Sequence, residues 1–211
     1  MPKLESEAPR LVVFFGLVAS GKSHLAKRWA RARHCPYYNT DIVRKQLFGL
    51  DPQSRQHAGM SQGIYTAEHS RQTYREIVRR VRIDLDERSR EVVVLDGSYR
   101  EEAERARLVT EFGGRAEIFF IYCSCSEDET RKRLARRALD RRAVSDGRWE
   151  VYLYQKSGFA VPHEIEGARL LVLDTENDTD VLLRAVDAFV ETPALGEDRP
   201  IRTPDGSRKN E

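Results

Sequence analysis

Leu11-Val12-Val13-Phe14-Phe15-Gly16-Leu17-Val18-Ala19-Ser20-Gly21-Lys22-Ser23 is the stretch on which the fold turns. Its first five residues form a short, continuous apolar run rich in β-formers. A parallel strand buried on both faces has this pattern. Gly16 to Ser23 then matches GxxxxGK[ST] at every fixed position. The glycines let the backbone curl so that its N–H groups point inward at phosphate oxygens. The helix expected over Lys22 to Arg33, with Leu25 and Trp29 on one face, adds its N-terminal dipole to the same anion. Lys22 supplies a mobile charge for the β- and γ-phosphates, and the Ser23 hydroxyl is placed to ligand Mg²⁺. A chance match in a chain of this length is on the order of 1%. The strand before it and the helix after it make a bare glycine turn rarer still.

Working outward, the same alternation repeats. Tyr37-Tyr38-Asn39 is a candidate second strand, followed by Thr40-Asp41 and a helix over about 42–47. Gly49 to Gly63 is polar, with three glycines and a proline, and is expected to be a long loop. From Thr66 a helical period returns, with Tyr74, Ile77, Val78, Val81 and Leu85 on one face. Val92-Val93-Val94-Leu95 is the third strand and ends at Asp96. Ser98 and Glu101 have the capping-box spacing, for a helix to about Phe112 that Gly113-Gly114 breaks. Ile118 to Cys123 is the fourth strand. Ser126 and Glu129 repeat the capping spacing ahead of a very basic helix to about Arg142. A helix around Trp149 to Lys156 is expected to end by Pro162. Leu170 to Leu173 is the fifth strand and 181–190 the last helix. Strand, helix, strand in repetition predicts an α/β domain with a parallel sheet and helices on both faces. Residues 10–190 are expected to form that domain, with a short extension at 1–9 and an unordered tail over 191–211.

Composition narrows the function classes. The 36 basic and 34 acidic side chains of the 211 residues leave a net charge of +2, which argues against a general nucleic-acid coat. Arginine dominates the basic set. Cys35, Cys123 and Cys125 make no disulfide framework, and the histidines have no zinc spacing. Met1 to Arg10 contains no apolar stretch, and the longest apolar run is far short of a membrane span. The sequence therefore predicts a soluble, cytoplasmic protein.

A phosphate cradle does not name a reaction. The strand ending at Asp96 looks like the element that holds the Mg²⁺ shell. Gly97 follows it, where motor ATPases generally place a glutamate that activates water. No guanine-reading NKxD is present and no Asp begins a DxxG, which argues against a GTPase switch. Transfer of a γ-phosphoryl group to a bound acceptor remains. It needs positioning, a base near the acceptor hydroxyl and positive charge around the migrating group. Asp41 is the candidate base, because it follows a short strand and so sits at the carboxyl edge of the sheet. Arg44, three residues on, shares its helical face and is placed to hold acceptor or phosphate. The structural alternative makes Asp41 an N-cap and Arg44 its surface partner.

Arg133 and Arg137 stand at i, i+4 in the basic helix, and Arg141 extends the row. Two guanidinium forks in line suit a triphosphate. The alternative is a solvated basic face. With the Ser145-Asp146-Gly147 break, this segment (about 126–150) reads as a lid that excludes water.

Together, the cradle Gly16 to Ser23, Thr40-Asp41 with Arg44-Lys45, the strand ending at Asp96, the RLxxR spacing and Ser145 to Glu150 resemble the P-loop kinases grouped with AAA-family ATPases. Gluconate kinase, chloramphenicol phosphotransferase, zeta toxins and the kinase domain of phage polynucleotide kinase belong to the wider group. The resemblance covers about residues 10–190. It implies a P-loop NTPase fold of three layers, α/β/α, with a five-stranded parallel sheet in the order 2-3-1-4-5 and a helical lid over ATP. It also implies that Asp41 is the general base, that Arg44 contacts acceptor or phosphate, and that Arg133 and Arg137 are lid arginines. Asp96 becomes a metal-shell or acceptor contact. Gly97-Ser98-Tyr99 departs from the turn that many relatives carry there, which bears on the acceptor pocket rather than on the ATP site.

The expectation is thus an ATP- and Mg²⁺-dependent kinase acting on a hydroxyl of a small molecule. Gly16, Leu17, Val18, Ala19, Ser20, Gly21, Lys22, Ser23, Arg133 and Arg137 would bind ATP. Lys22, Asp41, Arg44 and Arg137 would carry the transfer, and Ser23 and Asp96 the metal. A polynucleotide 5′-hydroxyl kinase is the alternative, with Tyr37, Tyr38, Tyr65 and Tyr74 as walls for bases. A further alternative is a nucleotide-dependent binding module or ATPase with little transfer. The 49–63 loop and Trp149 to Phe159 are expected to shape the acceptor pocket.

Overall fold

The structure is a computed structural model that describes residues 8–52, 63–87, 90–139 and 148–192. Five parallel strands form one sheet: β1 (Arg10–Phe15), β2 (Tyr37–Asn39), β3 (Val92–Gly97), β4 (Glu117–Ser124) and β5 (Arg169–Asp174). Their order is β2-β3-β1-β4-β5, as the sequence implied. β1 lies at the centre, with Arg10 to Phe15 paired to Val92 to Gly97 on one side and to Glu117 to Tyr122 on the other.

The helices are α1 (Lys22–Ala32), α2 (Thr40–Leu47), α3 (Ala67–Arg82), α4 (Glu102–Phe112), α5 (Glu127–Leu139), α6 (Trp149–Ser157) and α7 (Thr179–Glu191). Leu11, Val13 and Phe15 point to one face of the sheet, where Ile77, Val81, Leu108 and Phe112 of α3 and α4 cover them. Val12 and Phe14 point to the other, against Leu25 and Trp29 of α1 and Leu182, Val186 and Val190 of α7. That two-sided burial is why β1 reads as unbroken apolar sequence. Each of its five large side chains contributes about 1.5–3 kcal/mol by leaving water. A smaller cluster joins Val18 and Ala19 of the cradle to Leu134 and Tyr152, seating α5 and α6 on the phosphate loop.

Several boundaries differ from expectation. α2 begins at Thr40, two residues early, because Asn39 caps it by accepting from the Asp41 and Ile42 N–H groups. The capping box ahead of α4 is Glu101 with Glu104, not Ser98 with Glu101. Tyr99 has a positive φ of 37°, so the chain is still turning there and cannot yet be helical. α6, by contrast, spans Trp149–Ser157 and ends on Gly158 ahead of Pro162, as expected. The Ser126 cap of α5 is present, its Oγ accepting from the Glu129 N–H at 3.2 Å. α5 is described to Leu139. Arg141, the Ser145-Asp146-Gly147 break, most of the 49–63 loop, most of the 1–9 extension and the tail from 193 lie outside the described residues. Cys35, Cys123 and Cys125 are free thiols. Among the described residues no helix is long and apolar enough to cross a membrane.

Candidate active site

The carboxyl edge of the sheet opens into a cleft of about 1620 Å³. The phosphate loop forms one wall. Gly16 has φ 144°, and a Cβ there would lie 2.3 Å from the Cys123 carbonyl oxygen, so only glycine fits. Gly21 enters α1 at φ 85°; a Cβ would press to 2.9 Å on Thr175 and 3.0 Å on the Arg133 guanidinium. No side chain caps α1 and its first turn carries no acid. Its first N–H groups are thereby left for an anion, which is the arrangement a phosphate site requires.

Lys22 follows directly. Its ammonium donates to the Leu17 carbonyl at 2.9 Å, folded back over the loop. Burial pushes its pKa down; Asp96 and Asp41 pull it up and Arg137 pushes it further down. Three of the groups that act on Lys22, namely Asp96, Arg137 and Asp41, are ones that the sequence assigned to the site. Ser23 donates to Asp96 Oδ1 at 3.1 Å. The other oxygen, Oδ2, accepts from the Tyr37 hydroxyl at 2.6 Å and from Asn39 Nδ2 at 2.5 Å. Asp96 is fully buried, fixed by three donors at the foot of the cradle. One hydroxyl and one carboxylate, both hard oxygen donors beside a phosphate loop, fit Mg²⁺, which keeps several waters and takes few protein ligands. Among the described residues no cluster of three or more His, Cys, Asp or Glu offers a richer metal cage.

Asp41 lines the same cleft. Because Asn39 does the capping, the Asp41 side chain is not spent on its helix, and the N-cap alternative for it falls. Arg44 donates to Asp41 Oδ1 at 3.1 Å, with its guanidinium 5.0 Å from the centre of the Tyr65 ring. Arg44 is only 8% exposed, yet it lines the cleft, and its buried Nε has no partner.

The two lid arginines differ. Arg133 is tied down. It bonds the Thr175 hydroxyl at 2.8 Å, the Thr175 carbonyl at 2.7 Å, the Ala19 carbonyl at 3.4 Å and Glu129 at 3.0 Å. It braces α5 onto the phosphate loop rather than standing open to a triphosphate. Arg137 reaches the centre. Burial lowers its pKa, Asp41 raises it, Arg133 lowers it and Asp96 raises it.

Gly97 explains the missing glutamate. A Cβ there would lie 2.6 Å from Thr40 Cγ2 and 2.9 Å from the Tyr99 ring, so α2 packs directly on β3 and leaves no room for a side chain. Tyr99 is fully buried, and Arg105 donates to the Tyr99 and Arg100 carbonyls at 2.8 and 2.9 Å. That clamp turns Ser98 and Arg100 toward the cleft. Of the suggested tyrosine walls, Tyr37, Tyr65 and Tyr74 line the cleft. Tyr38 instead donates to buried Asp84 at 2.5 Å.

Four residues escaped sequence reasoning. Asn39 was masked by two cap-competent neighbours. Thr175, whose hydroxyl meets Ser20, Ser124 and Arg133, directly follows β5 and could have been sought at that strand end. Gln155 of α6 accepts the Val18 N–H at 2.7 Å. Glu104 of α4 lines the cleft, and burial raises its pKa. No local pattern marks these last two.

The fold and the cradle define a P-loop NTPase with the sheet order 2-3-1-4-5. Residues 11–162 match the family model described as an AAA domain, AAA_33, and the chain belongs to that family. No curated protein matches the chain significantly. Among solved structures, a gluconokinase from Sinorhizobium meliloti is 19% identical, covering 88% of this chain and 96% of its own, with a TM-score of 0.58. A sugar kinase from Janibacter is 13% identical over 86% and 94% of the two chains, with a TM-score of 0.58. Chaetomium thermophilum Kti12, solved with ADP-AlF3, is 18% identical over 86% and 100%, with a TM-score of 0.59. At such identities the likeness establishes a shared fold.

Proposed function

We propose that the protein is an ATP- and Mg²⁺-dependent kinase that transfers the γ-phosphoryl group to a hydroxyl of a small molecule. One observation carries this: Asp41, freed from capping by Asn39 and held by Arg44, opens into the same cleft as the phosphate loop. A hydrolase needs a residue that activates water, and the position after Asp96 has no space for one. The kinases among the structural neighbours agree with transfer.

In this reading residues 10–190 are one kinase domain with a lid over about 126–150. The loop N–H groups, the α1 N-terminus and Lys22 hold the triphosphate. Asp41 accepts the proton of the acceptor hydroxyl. The hydroxyl oxygen bonds to the γ-phosphorus as the bond to the β–γ bridging oxygen breaks, releasing ADP. Lys22 and Arg137 offset the charge on the migrating group. Ser23 and Asp96 would hold Mg²⁺, which supplies further neutralisation of the phosphates.

Asp41→Asn tests it. The amide keeps the size and the polar contact to Arg44 but is no base. Phosphoryl transfer from γ-labelled ATP across a panel of hydroxyl acceptors should fall by about 10²–10⁴-fold, with ATP affinity retained. Equal transfer by both proteins would remove Asp41 as base. Absence of transfer in either, with ATP bound, would favour the binding-module alternative.

A further inference from the structure

α6 reaches the phosphate loop through one polar side chain. Gln155 Oε1 accepts the Val18 N–H at 2.7 Å. The same peptide group carries the Leu17 carbonyl, whose oxygen accepts from the Lys22 ammonium at 2.9 Å. One peptide plane of the cradle is therefore held at both ends, by α6 at its N–H and by the loop lysine at its oxygen. Lys22 is the residue that serves the β- and γ-phosphates, which sets Gln155 at the γ end of the cradle. A backbone N–H can only donate, so it fixes which end of the Gln155 amide it meets. The Nε2 end must point elsewhere. It makes no hydrogen bond among the described residues, and Gln155 lines the cleft.

The helix that carries Gln155 is braced. Tyr152 packs with Leu134 of α5 on Val18 and Ala19. The Trp149 and Tyr152 rings stack with centres 4.9 Å apart, and the Arg131 guanidinium of α5 lies 3.7 Å from the Trp149 ring centre. Lys156 donates to Glu127 at 2.8 Å. These contacts tie α6 to α5 and to the loop, so the amide is presented from a fixed element. While Gln155 holds the Val18 N–H, no phosphate oxygen can take it. The amide passes that donor on. Polarised by the N–H at its oxygen, it offers strengthened donors at its nitrogen. A neutral donor suits the position, because burial and Arg137 already lower the Lys22 pKa and a third cation would lower it further.

We propose that Gln155 is a further catalytic residue: its Nε2 donates to the γ-phosphoryl group, so that α6 extends the phosphate cradle by one side chain. This deepens the kinase reading and rests on it. As the bond to the β–γ bridging oxygen breaks, charge is carried on the three outer oxygens of the migrating group. A donor already fixed at their position stabilises that charge without reorganising. A residue that only seats α6 on the loop needs its Oε1 alone; the unused Nε2 at the cleft is what distinguishes Gln155 from a strut.

Two substitutions separate the contact from the strut. Gln155→Glu keeps an oxygen for the Val18 N–H and replaces the donor with a second anionic oxygen. Gln155→Leu keeps the bulk and removes both polar ends. Binding of ADP and of a β,γ-imido ATP analogue to the full chain with Mg²⁺ is measured by calorimetry, and transfer from γ-labelled ATP is followed across the acceptor panel. Gln155→Glu should weaken the analogue about tenfold or more, leave ADP nearly unchanged, and lower kcat by about 10²–10³-fold. Gln155→Leu should also weaken the analogue more than ADP. A native-like Gln155→Glu, beside a Gln155→Leu that weakens ADP and analogue alike, makes Gln155 a strut and overturns the proposal. A Gln155→Glu protein that binds the analogue normally and raises only the acceptor KM also overturns it, by moving the contact to the acceptor. Selective loss of analogue affinity, with no transfer to any acceptor by the native protein, sinks the kinase reading and leaves the γ-phosphate contact standing.

Discussion

Asn39 joins the two halves of the reaction centre with a single amide. Its carbonyl oxygen accepts from the Asp41 and Ile42 N–H groups at 3.0 and 3.1 Å. Its Nδ2 donates to Asp96 Oδ2 at 2.5 Å. An amide has both an acceptor end and a donor end in one plane at every pH. Asn39→Asp keeps the cap acceptor but faces Asp96 with a second carboxylate. Two such groups cannot both ionise cheaply, so one proton is retained to a raised pKa. While that proton is present, residue 39 can still donate to Asp96. The rate of phosphoryl transfer relative to the native protein should therefore fall as pH rises between about pH 5 and pH 8. Asn39→Ala should lose about 1 kcal/mol of stability with the cap and show a rate ratio that is flat with pH. A flat ratio for both variants would reduce Asn39 to a cap. The sequence offers Asn39, Thr40 and Asp41 as three adjacent cap-competent residues. What selects Asn39 is the pairing of β2 with β3, which sets Asn39 opposite Asp96. That partner lies far away along the chain, so spacing alone could not make the choice.

At the scale of elements, strands and helices buried on both faces were legible, and those whose ends depend on a distant partner were not. β1 shows in sequence because both of its faces are apolar. The start of α4 did not, because it waits on the Tyr99 turn, which Arg105 and the Tyr74 ring hold in place; the two tyrosine ring centres lie 5.5 Å apart. α5 carries a sharper lesson. Arg133 and Arg137 are equivalent in periodicity, yet one is bonded to the loop and the other faces the reaction centre. Arg133→Ala should cost about 1–3 kcal/mol through its lost hydrogen bonds, a fall in melting temperature of about 2–12 °C for a chain of this size. Arg133→Lys should recover only part of this, since a point charge cannot bridge Thr175 and Glu129 together. Arg137→Ala should lower kcat by about 10²–10³-fold. Thermal melts and turnover measured on the three variants separate brace from catalyst. An Arg137→Ala variant with unchanged kcat would return Arg137 to a structural role.

Over the whole molecule, the arginine excess and the near-neutral net charge of +2 are reconciled by where the charge lies. Basic side chains lining the cleft outnumber acidic ones about two to one, with Lys22, Arg44, Arg100, Arg107, Arg133 and Arg137 among them. Elsewhere arginines are matched within short reach, as Arg79 and Arg80 are by Glu76, or Arg33 by Asp187 and Glu191. Sequence periodicity revealed the lid row but not this concentration, because the cleft collects residues from α1, α2, α3, α4, α5 and α6. A concave, low-dielectric cleft of one sign focuses its field and speeds the arrival of anions. Nucleotide association should therefore be steered even though the net charge is small. In stopped-flow mixing with a fluorescent ATP analogue, the association rate constant should fall about tenfold or more as ionic strength rises from about 20 mM to 0.5 M, because the field that reaches beyond the cleft mouth is screened. The dissociation rate constant should change far less, since contacts inside the cradle lie within a Debye length. Replacing Arg100 and Arg107 together with glutamine should remove part of that salt dependence without altering the dissociation rate, because neither touches the phosphate loop. An association rate indifferent to salt would mean that the surface charges outside the cleft cancel its field before a nucleotide can sense it.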